Sequence, residues 1–380
     1  MTRSARCVLL FAAICAQSAA CAPLLPDRVA AAAHERIDAG DYPALAIGYV
    51  EGDKSEIVVF GTAGGGVTLD ADTVFEIGSI TKTMTATVLA QDVSSGNLAL
   101  DTPVATLLPD FKIPSRGGKS ITLLDLATQF SGLPRVPTNM MLADPADPYA
   151  DYGPDDLEAF LAGYDLPRAP GEAFEYSNLG FGLLGFAIAR HAHTGYGDLL
   201  DRRLFQPLNM TMSGTALSEK MRAHLAAGHR GGAIAKNWAF DALAGAGAVL
   251  SSTKDMLVYL RMNMGQIELP GGNTNPVAHQ ARRDAGGGQR IGLAWMILRD
   301  SDSDSDIVWH NGGTGGYRSF LGFRTDGRRG VVILTNTTAS VDDLGFAALL
   351  DGAPLDPAHR ANALDVEALR AYWHRISRSR

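Results

Sequence analysis

Two apolar runs, PALAIGYV from Pro43 and EIVVFGTAG from Glu56, flank the polar stretch EGDK at 51–54. Their β-branched content around a Gly-Asp pair predicts an antiparallel hairpin. On either side the period lengthens. Pro26 to Ala39 predicts a helix ended by Gly40, and Ile80 to Val93 a helix ended near Gly96. ITLLDLATQ reads as a short helix and SGLPRVP as a loop. A Pro-, Asp- and Gly-rich stretch from about 135 to 172 holds one short helix near Asp155–Ala162. NLGFGLLGFAIARHAH predicts a strongly apolar helix whose glycines permit close packing. SSTKDMLVYLRMN predicts a helix opened by a capping box from Ser252 to Asp255. Residues 265–290 read as a long loop.

The pattern then returns to strands. IGLAWMIL, DIVWHNG, RSFLGFRTD and GVVILTNT all read as extended, with the last two joined by a turn at TDGRR. LGFAALL and DVEALRAYWHRI follow as helices. Strands stand at both ends of the chain and helices fill the middle, so the predicted class is α+β/α. An antiparallel β-sheet built from both termini is flanked by helices, with an all-helical domain inserted. The expected boundaries are 23–100 and 290–380 for the sheet domain and 101–289 for the mainly helical one.

Residues 1–22 stand apart. Arg3 and Arg6 precede an apolar run from Cys7 to Ala16, and small residues follow. That layout is a secretory signal, and the run is too short to span a bilayer. Export to the periplasm is the expectation. Cys7, Cys15 and Cys21 all fall in this segment, so the mature chain keeps at most one cysteine and no internal disulfide. Ser18-Ala19-Ala20 suits ordinary cleavage, and the same residues before Cys21 suit a lipoprotein signal with a lipid anchor on Cys21. Both routes stay open, as does the oligomeric state.

Composition narrows the function classes. The 380 residues are 46% hydrophobic and 19% charged, with a net charge of −8. No basic run points to nucleic acid. His191 and His193 at i,i+2 on a helix face apart, and no paired-Cys or His-Glu-x-x-His pattern exists, so neither a metal nor another cofactor is expected. The acidic run at 300–306 reads as a solvated loop. Neither a Gly-x-Ser-x-Gly elbow nor a dinucleotide-binding glycine pattern is present.

Three stretches carry candidate chemistry. In FEIGSITKTM, Ser79 and Lys82 share one face if a helix starts at the serine. Free N–H groups at a helix N-terminus can stabilise an oxyanion, and an amine buried beside Ile77 and Ile80 loses basicity and can act as a base. In FEYSNLG, Tyr176 and Asn178 sit where a turn opens the apolar helix. A phenol near cations can be depressed in pKa and shuttle a proton, and an amide can hold a lysine and a substrate carbonyl together. In VWHNGGTGGYRSF the glycines weaken a strand and mark close backbone approach. Each stretch also has a plain reading, as a helix cap, a capped aromatic or a bulged hairpin.

Together and in this order, Ser79-Ile80-Thr81-Lys82, Tyr176-Ser177-Asn178 and His310-Asn311-Gly312 resemble the motifs of the penicillin-recognising serine hydrolases. That superfamily comprises class C β-lactamases, low-molecular-mass D,D-peptidases and family VIII esterases. LLDLATQFSGLPR and AGAVLSSTKDML also look like family segments, and the resemblance covers roughly residues 28–350. It implies a β-lactamase/transpeptidase-like fold with the active site between the two domains, and acyl transfer through an ester on Ser79. Lys82 and Tyr176 would share proton transfer, with Asn178 orienting Lys82 and the acyl side chain. The N–H groups of Ser79 and Gly313 would form the oxyanion hole. His310, Asn311, Gly312 and Thr314 would line the substrate wall, with His310 and Thr314 helping to hold a carboxylate. The implied substrate is a β-lactam, a peptidoglycan peptide or an ester; a sensor that acylates without turnover is the alternative.

Two departures qualify this. Histidine replaces the lysine found at the third motif of many class C enzymes. It is partly charged at neutral pH, so its hold on a carboxylate should weaken as pH rises. After the last strand, LTNTTASVDDLG offers Asn336, Ala339 and Asp342 where class C enzymes carry polar or basic groups, so no second carboxylate-binding group is expected.

Overall fold

A computed structural model describes residues 22–140, 144–270, 272–300 and 303–355. The leader with its three cysteines and the helix expected at 365–376 lie outside the described residues. The hairpin forms as β1 (Ala44–Glu51) and β2 (Lys54–Gly61). A short strand β3 (Val74–Glu76) pairs with β4 (Leu250–Ser252). The main sheet continues with β5 (Arg283–Gly286), β6 (Gln289–Ile291), β7 (Met296–Arg299), β8 (Asp306–Gly313), β9 (Arg318–Arg324) and β10 (Arg329–Thr335). Its order is β2-β1-β10-β9-β8-β7-β6-β5, antiparallel throughout. The first and last of the described strands meet at the β1–β10 pair, so the sheet joins distant parts of the sequence.

Alternation along the strands assigns two buried faces. Leu45, Ile47, Tyr49, Ile307, Trp309, Phe320, Val331 and Ile333 pack against α1 (Asp27–Asp38) and the last described helix. The intervening Ala46, Val50, Val308, Leu321, Phe323, Val332 and Leu334 join the larger core that holds the helical layer. That layer is built around α2 (Thr81–Ser94) and α3 (Asn178–His191). Helix α4 (Thr253–Asn263) lies against β1 and β10, and α5 (Asp342–Leu349) covers β9 and β10 from the other side.

Several elements depart from expectation. The stretch 265–290 is not one loop: it contains a helical turn at Asn275–Ala278 and the edge hairpin β5–β6. The sheet therefore begins near residue 283, and α4 packs on it although its residues were expected in the helical insertion. IGLAWMIL breaks after Ile291, where Ala294 turns at φ 67, and resumes at Met296; Trp295 is fully buried but precedes the strand. The Ser252 hydroxyl does cap α4, accepting from the Asp255 N–H at 3.2 Å. The Asp255 carboxylate instead accepts from the Met212 N–H at 2.7 Å and the Ser213 hydroxyl at 2.8 Å, so the box is half formed and tethers a neighbouring loop.

The glycines of α3 serve the expected purpose. A methyl group at Gly185 would stand 2.7 Å from Gly245 Cα, and one at Gly182 would stand 2.4 Å from Leu243 Cδ2. Their absence lets the turn Ala244–Ala246 settle on the helix. Gly185→Ala is expected to destabilise the protein by about 1–3 kcal/mol through this overpacking, read as a lowered midpoint in urea with an unchanged m-value. Since Ala246 carries a contact to Lys82, activity per folded molecule should also fall.

Candidate active site

The chain reaches Ser79 through a turn that only glycine permits. Phe75 and Ile77 are fully buried and hold β3 in place. Gly78 then adopts φ 51, and a Cβ there would lie 2.5 Å from the Gly313 nitrogen. Ser79 sits in a 3-10 turn, Gly78–Ile80, that leads into α2, one turn earlier than a simple helix cap. The end of β8 closes from the opposite side. A Cβ at Gly312 would lie 2.1 Å from Ile77 O and 3.0 Å from Ser79 N, and the Ser319 hydroxyl donates to Ile77 O at 2.8 Å. The Gly78–Ser79 turn and the Gly312–Gly313 end of β8 are therefore packed backbone against backbone, which brings the N–H groups of Ser79 and Gly313 into one neighbourhood, as an oxyanion site needs.

Lys82 follows on α2 and is fully buried. Its Nζ lies 3.0 Å from Ser79 Oγ, 2.9 Å from Asn178 Oδ1 and 2.7 Å from Ala246 O. Burial, helped by the Arg135 charge, holds its pKa well below the usual lysine value. In its deprotonated form the amine has two hydrogens and one lone pair. The Asn178 and Ala246 oxygens can only accept, so the two hydrogens go to them and the lone pair is left for the Ser79 hydroxyl to donate into. The orientation of Asn178 is fixed independently, because its Nδ2 donates to the Tyr149 hydroxyl at 2.9 Å. Tyr149 is itself stacked on Phe240 at 4.7 Å.

Tyr176 closes the group. Its hydroxyl is hydrogen-bonded to Ser79, and its ring lies 4.9 Å from Lys82 Nζ and 5.1 Å from the Arg135 guanidinium carbon. The expectation that nearby cations depress this phenol is wrong. Burial outweighs the Ser79 and Arg135 contributions and pushes it up to about 12, so it stays protonated at neutral pH.

His310 also departs from expectation. It is 3% exposed, and its Nδ1 lies 2.6 Å from Asn311 O. Burial and the nearby Lys82 lower its pKa to about 3, so it is neutral across the physiological range instead of partly charged. The pH profile for a neutral ester is accordingly expected to carry no step from His310. His310→Asn should give a profile that superimposes on wild type after scaling, whereas disappearance of a step near 6.5 would contradict this.

The other wall residues divide between two faces. Asn311 points to the α5 side, where its Nδ2 donates to Asp342 at 2.7 Å. Thr314 is 5% exposed beside the buried Glu76, which accepts from Asn237 Nδ2 at 2.8 Å and the Trp238 N–H at 2.9 Å. All nine expected site residues thus fall within one neighbourhood, and all but Lys82 line a single cleft of about 850 Å³. The cleft also takes Arg135 and Tyr149 from the Pro-, Asp- and Gly-rich stretch after residue 135, Gly286 and Gln289 from the stretch 265–290, and Arg230 and Arg318. None of these six stood out in the sequence. Arg318 lies outside LTNTTASVDDLG, the segment on which the expectation of no second carboxylate-binding group was based, and it adds a cation to the cleft wall. It was legible only as a strand residue, although its place opposite the glycines of β8 was a usable signal.

Comparisons with known proteins identify the family and the fold. Residues 29–353 match the beta-lactamase family. The chain is 26% identical over 292 residues to the D-alanyl-D-alanine-carboxypeptidase/endopeptidase AmpH of Escherichia coli K12, covering 73% of this chain and 75% of that one. It is 24% identical over 330 residues to a beta-lactamase of Yersinia enterocolitica, covering 77% and 82%. Among solved structures, a class C beta-lactamase aligns with TM-score 0.75 at 21% identity over 87% of this chain and 98% of that one. A beta-lactamase/D-alanine carboxypeptidase from Pseudomonas syringae aligns with TM-score 0.75 at 22% identity over 86% and 98%. With the family match spanning nearly all described residues and the fold shared, the chain belongs to the beta-lactamase family.

Proposed function

We propose that the protein is a serine hydrolase that cleaves an amide or ester through an acyl-enzyme on Ser79. The observation that carries this is the contact between the buried Lys82 amine, whose pKa is held well below the usual lysine value, and the Ser79 hydroxyl 3.0 Å away. Lys82 takes the Ser79 proton as Oγ attacks the substrate carbonyl carbon. The carbonyl oxygen gains the negative charge and is stabilised by the N–H groups of Ser79 and Gly313. Collapse breaks the bond to the leaving group. Tyr176, a neutral phenol, gives that group its proton and is reprotonated from the Lys82 ammonium. Water then repeats the sequence on the ester, regenerating Ser79. Lys82 is thus the principal base and Tyr176 a proton relay.

The relatives' names favour β-lactams and D-alanyl-D-alanine peptides as substrates. A neutral His310 in place of a permanent cation favours ester turnover beside them. A side-by-side assay of nitrocefin, a D-Ala-D-Ala peptide and a short-chain p-nitrophenyl ester decides the ranking. Turnover of at least one, abolished by Ser79→Ala, is expected; turnover that survives the substitution removes the mechanism. The layout of residues 1–22 supports export, either as a soluble periplasmic enzyme or anchored through Cys21.

A further inference from the structure

The end of β8 has two sides with different chemistry. Residues facing each other across an antiparallel pair share a face, and neighbours along a strand alternate. His310 and Ser319 therefore face the nucleophile, whereas Asn311, Gly313 and Arg318 face α5, in register through the Gly313–Arg318 and Asn311–Phe320 pairs. Phe320 and Trp309 continue that second side into the core beneath α5. The cleft wraps around the strand end and is lined from both sides, so the α5 side is open to whatever occupies the site.

Two charges meet there without neutralising each other. The Arg318 guanidinium rests on Gly313, where an added Cβ would be 2.2 Å from its Nη1, close beside the oxyanion site. Among the described residues it donates only to the backbone oxygens of Tyr317 and Thr314, at 3.2 and 3.4 Å. Among the described residues no carboxylate lies within 4.0 Å of its nitrogens. Arg230 stands in the same wall and raises the local positive charge. Across from them Asp342, 8% exposed, presents its carboxyl to Asn311. The remaining charged neighbour on its helix, Asp343, is paired with Arg36 of α1.

We propose that Arg318 and Arg230 form an anion subsite for the leaving group of the substrate, and that Asp342 is its proton-operated gate. This deepens the serine-hydrolase reading and rests on it for the word substrate. A deprotonated Asp342 repels an incoming carboxylate and competes for Arg318. A protonated Asp342 removes that repulsion and can donate a hydrogen bond to the carboxylate, while Asn311 holds the carboxyl in place in both states.

The titration falls in a useful range. Burial, opposed by the Asn311 hydrogen bond, raised by Asp343 and lowered by Arg318, puts Asp342 at about 6. His310, on the other side of the strand, is neutral and does not titrate there. Leaving groups with a free carboxylate should be favoured as pH falls through that value, and neutral leaving groups should be indifferent to it.

Two arms test this. In the first, Ser79→Ala blocks chemistry and 3-hydroxybenzoate binding is measured by calorimetry between about pH 5 and about pH 8. Affinity is expected to be about tenfold higher at the acid end. Adding Asp342→Asn should give the higher affinity at both ends, and adding Arg318→Gln should abolish it at both. Equal affinity at both ends, or a pH dependence unchanged by Asp342→Asn, overturns the proposal. In the second arm, the intact enzyme is assayed with a 3-carboxyphenyl ester and its methyl-esterified analogue. The ratio of kcat/KM values should rise toward acid and become flat in Asp342→Asn; a flat wild-type ratio overturns the gate while leaving the Ser79 mechanism standing. If neither ester is turned over but the first arm keeps its pH dependence, the hydrolase reading fails and the gated subsite stands.

Discussion

Ser79→Ala is expected to eliminate labelling by a penicillin probe and to lower kcat on the order of 10⁶-fold, the scale seen when a nucleophile acting as part of a unit is removed. The fold should survive. Ser79 is only partly buried, and its hydroxyl is engaged by Lys82 and Tyr176. The turn that carries it is held instead by Gly78, Gly312 and the bond from Ser319 to Ile77. Normal urea unfolding with lost labelling is the combined signature. A variant that is unfolded would say nothing of chemistry, so both are measured on the same sample.

Lys82→Arg and Lys82→Met separate the base from the charge. Arginine stays protonated and offers Ser79 no lone pair, so kcat should fall by about 10²- to 10⁴-fold. Methionine should lose the same activity but leave the protein more stable at neutral pH, because a desolvated amine no longer has to be accommodated. The pH dependence fixes the sign. The folded-state pKa of Lys82 lies below its ordinary 10.5. Between those two values the unfolded chain holds one more proton than the native one. Unfolding free energy therefore rises with pH across that window, by about 1.4 kcal/mol per unit from this group. Lys82→Met should remove that slope. For activity, the acid limb of the wild-type profile belongs to protonation of Lys82, and rate should fall as pH drops through it.

Much of this was readable before the fold. The hairpin at 44–61, the helix after Ser79 and the α3 glycines follow from local period and turn chemistry, and the three motifs carry their own order. The expectation failed where burial or pairing decides. RRDAGGGQRI has the composition of a loop, yet it forms β5–β6 because the open edge of β7 offers backbone partners, with β5 burying little. IGLAWMIL has the composition of one strand, yet it breaks because Ala294 must turn so that its N–H can reach Ala127 O at 2.8 Å.

The site shows the same division. Residue types pointed correctly to a hydroxyl, an amine, a phenol and an imidazole in one place. Their protonation states did not follow from residue type. Tyr176 has cations beside it, which suggests a lowered pKa, and His310 has an ordinary imidazole, which suggests partial charge. Desolvation reverses the first and shuts off the second, and its size depends on how many surrounding atoms exclude water. Arg318 was hidden for a related reason. An arginine at the start of a strand looks like a solvated end until register places it on Gly313, facing α5.

The most direct test of the acyl-enzyme is the intact mass of the wild-type protein at intervals after mixing with benzylpenicillin, followed by peptide mapping. The account predicts an added mass of one penicilloyl group on the peptide containing Ser79, decaying back to native mass as water releases it. An adduct carried on a different residue, or benzylpenicillin turnover that survives Ser79→Ala, would contradict it.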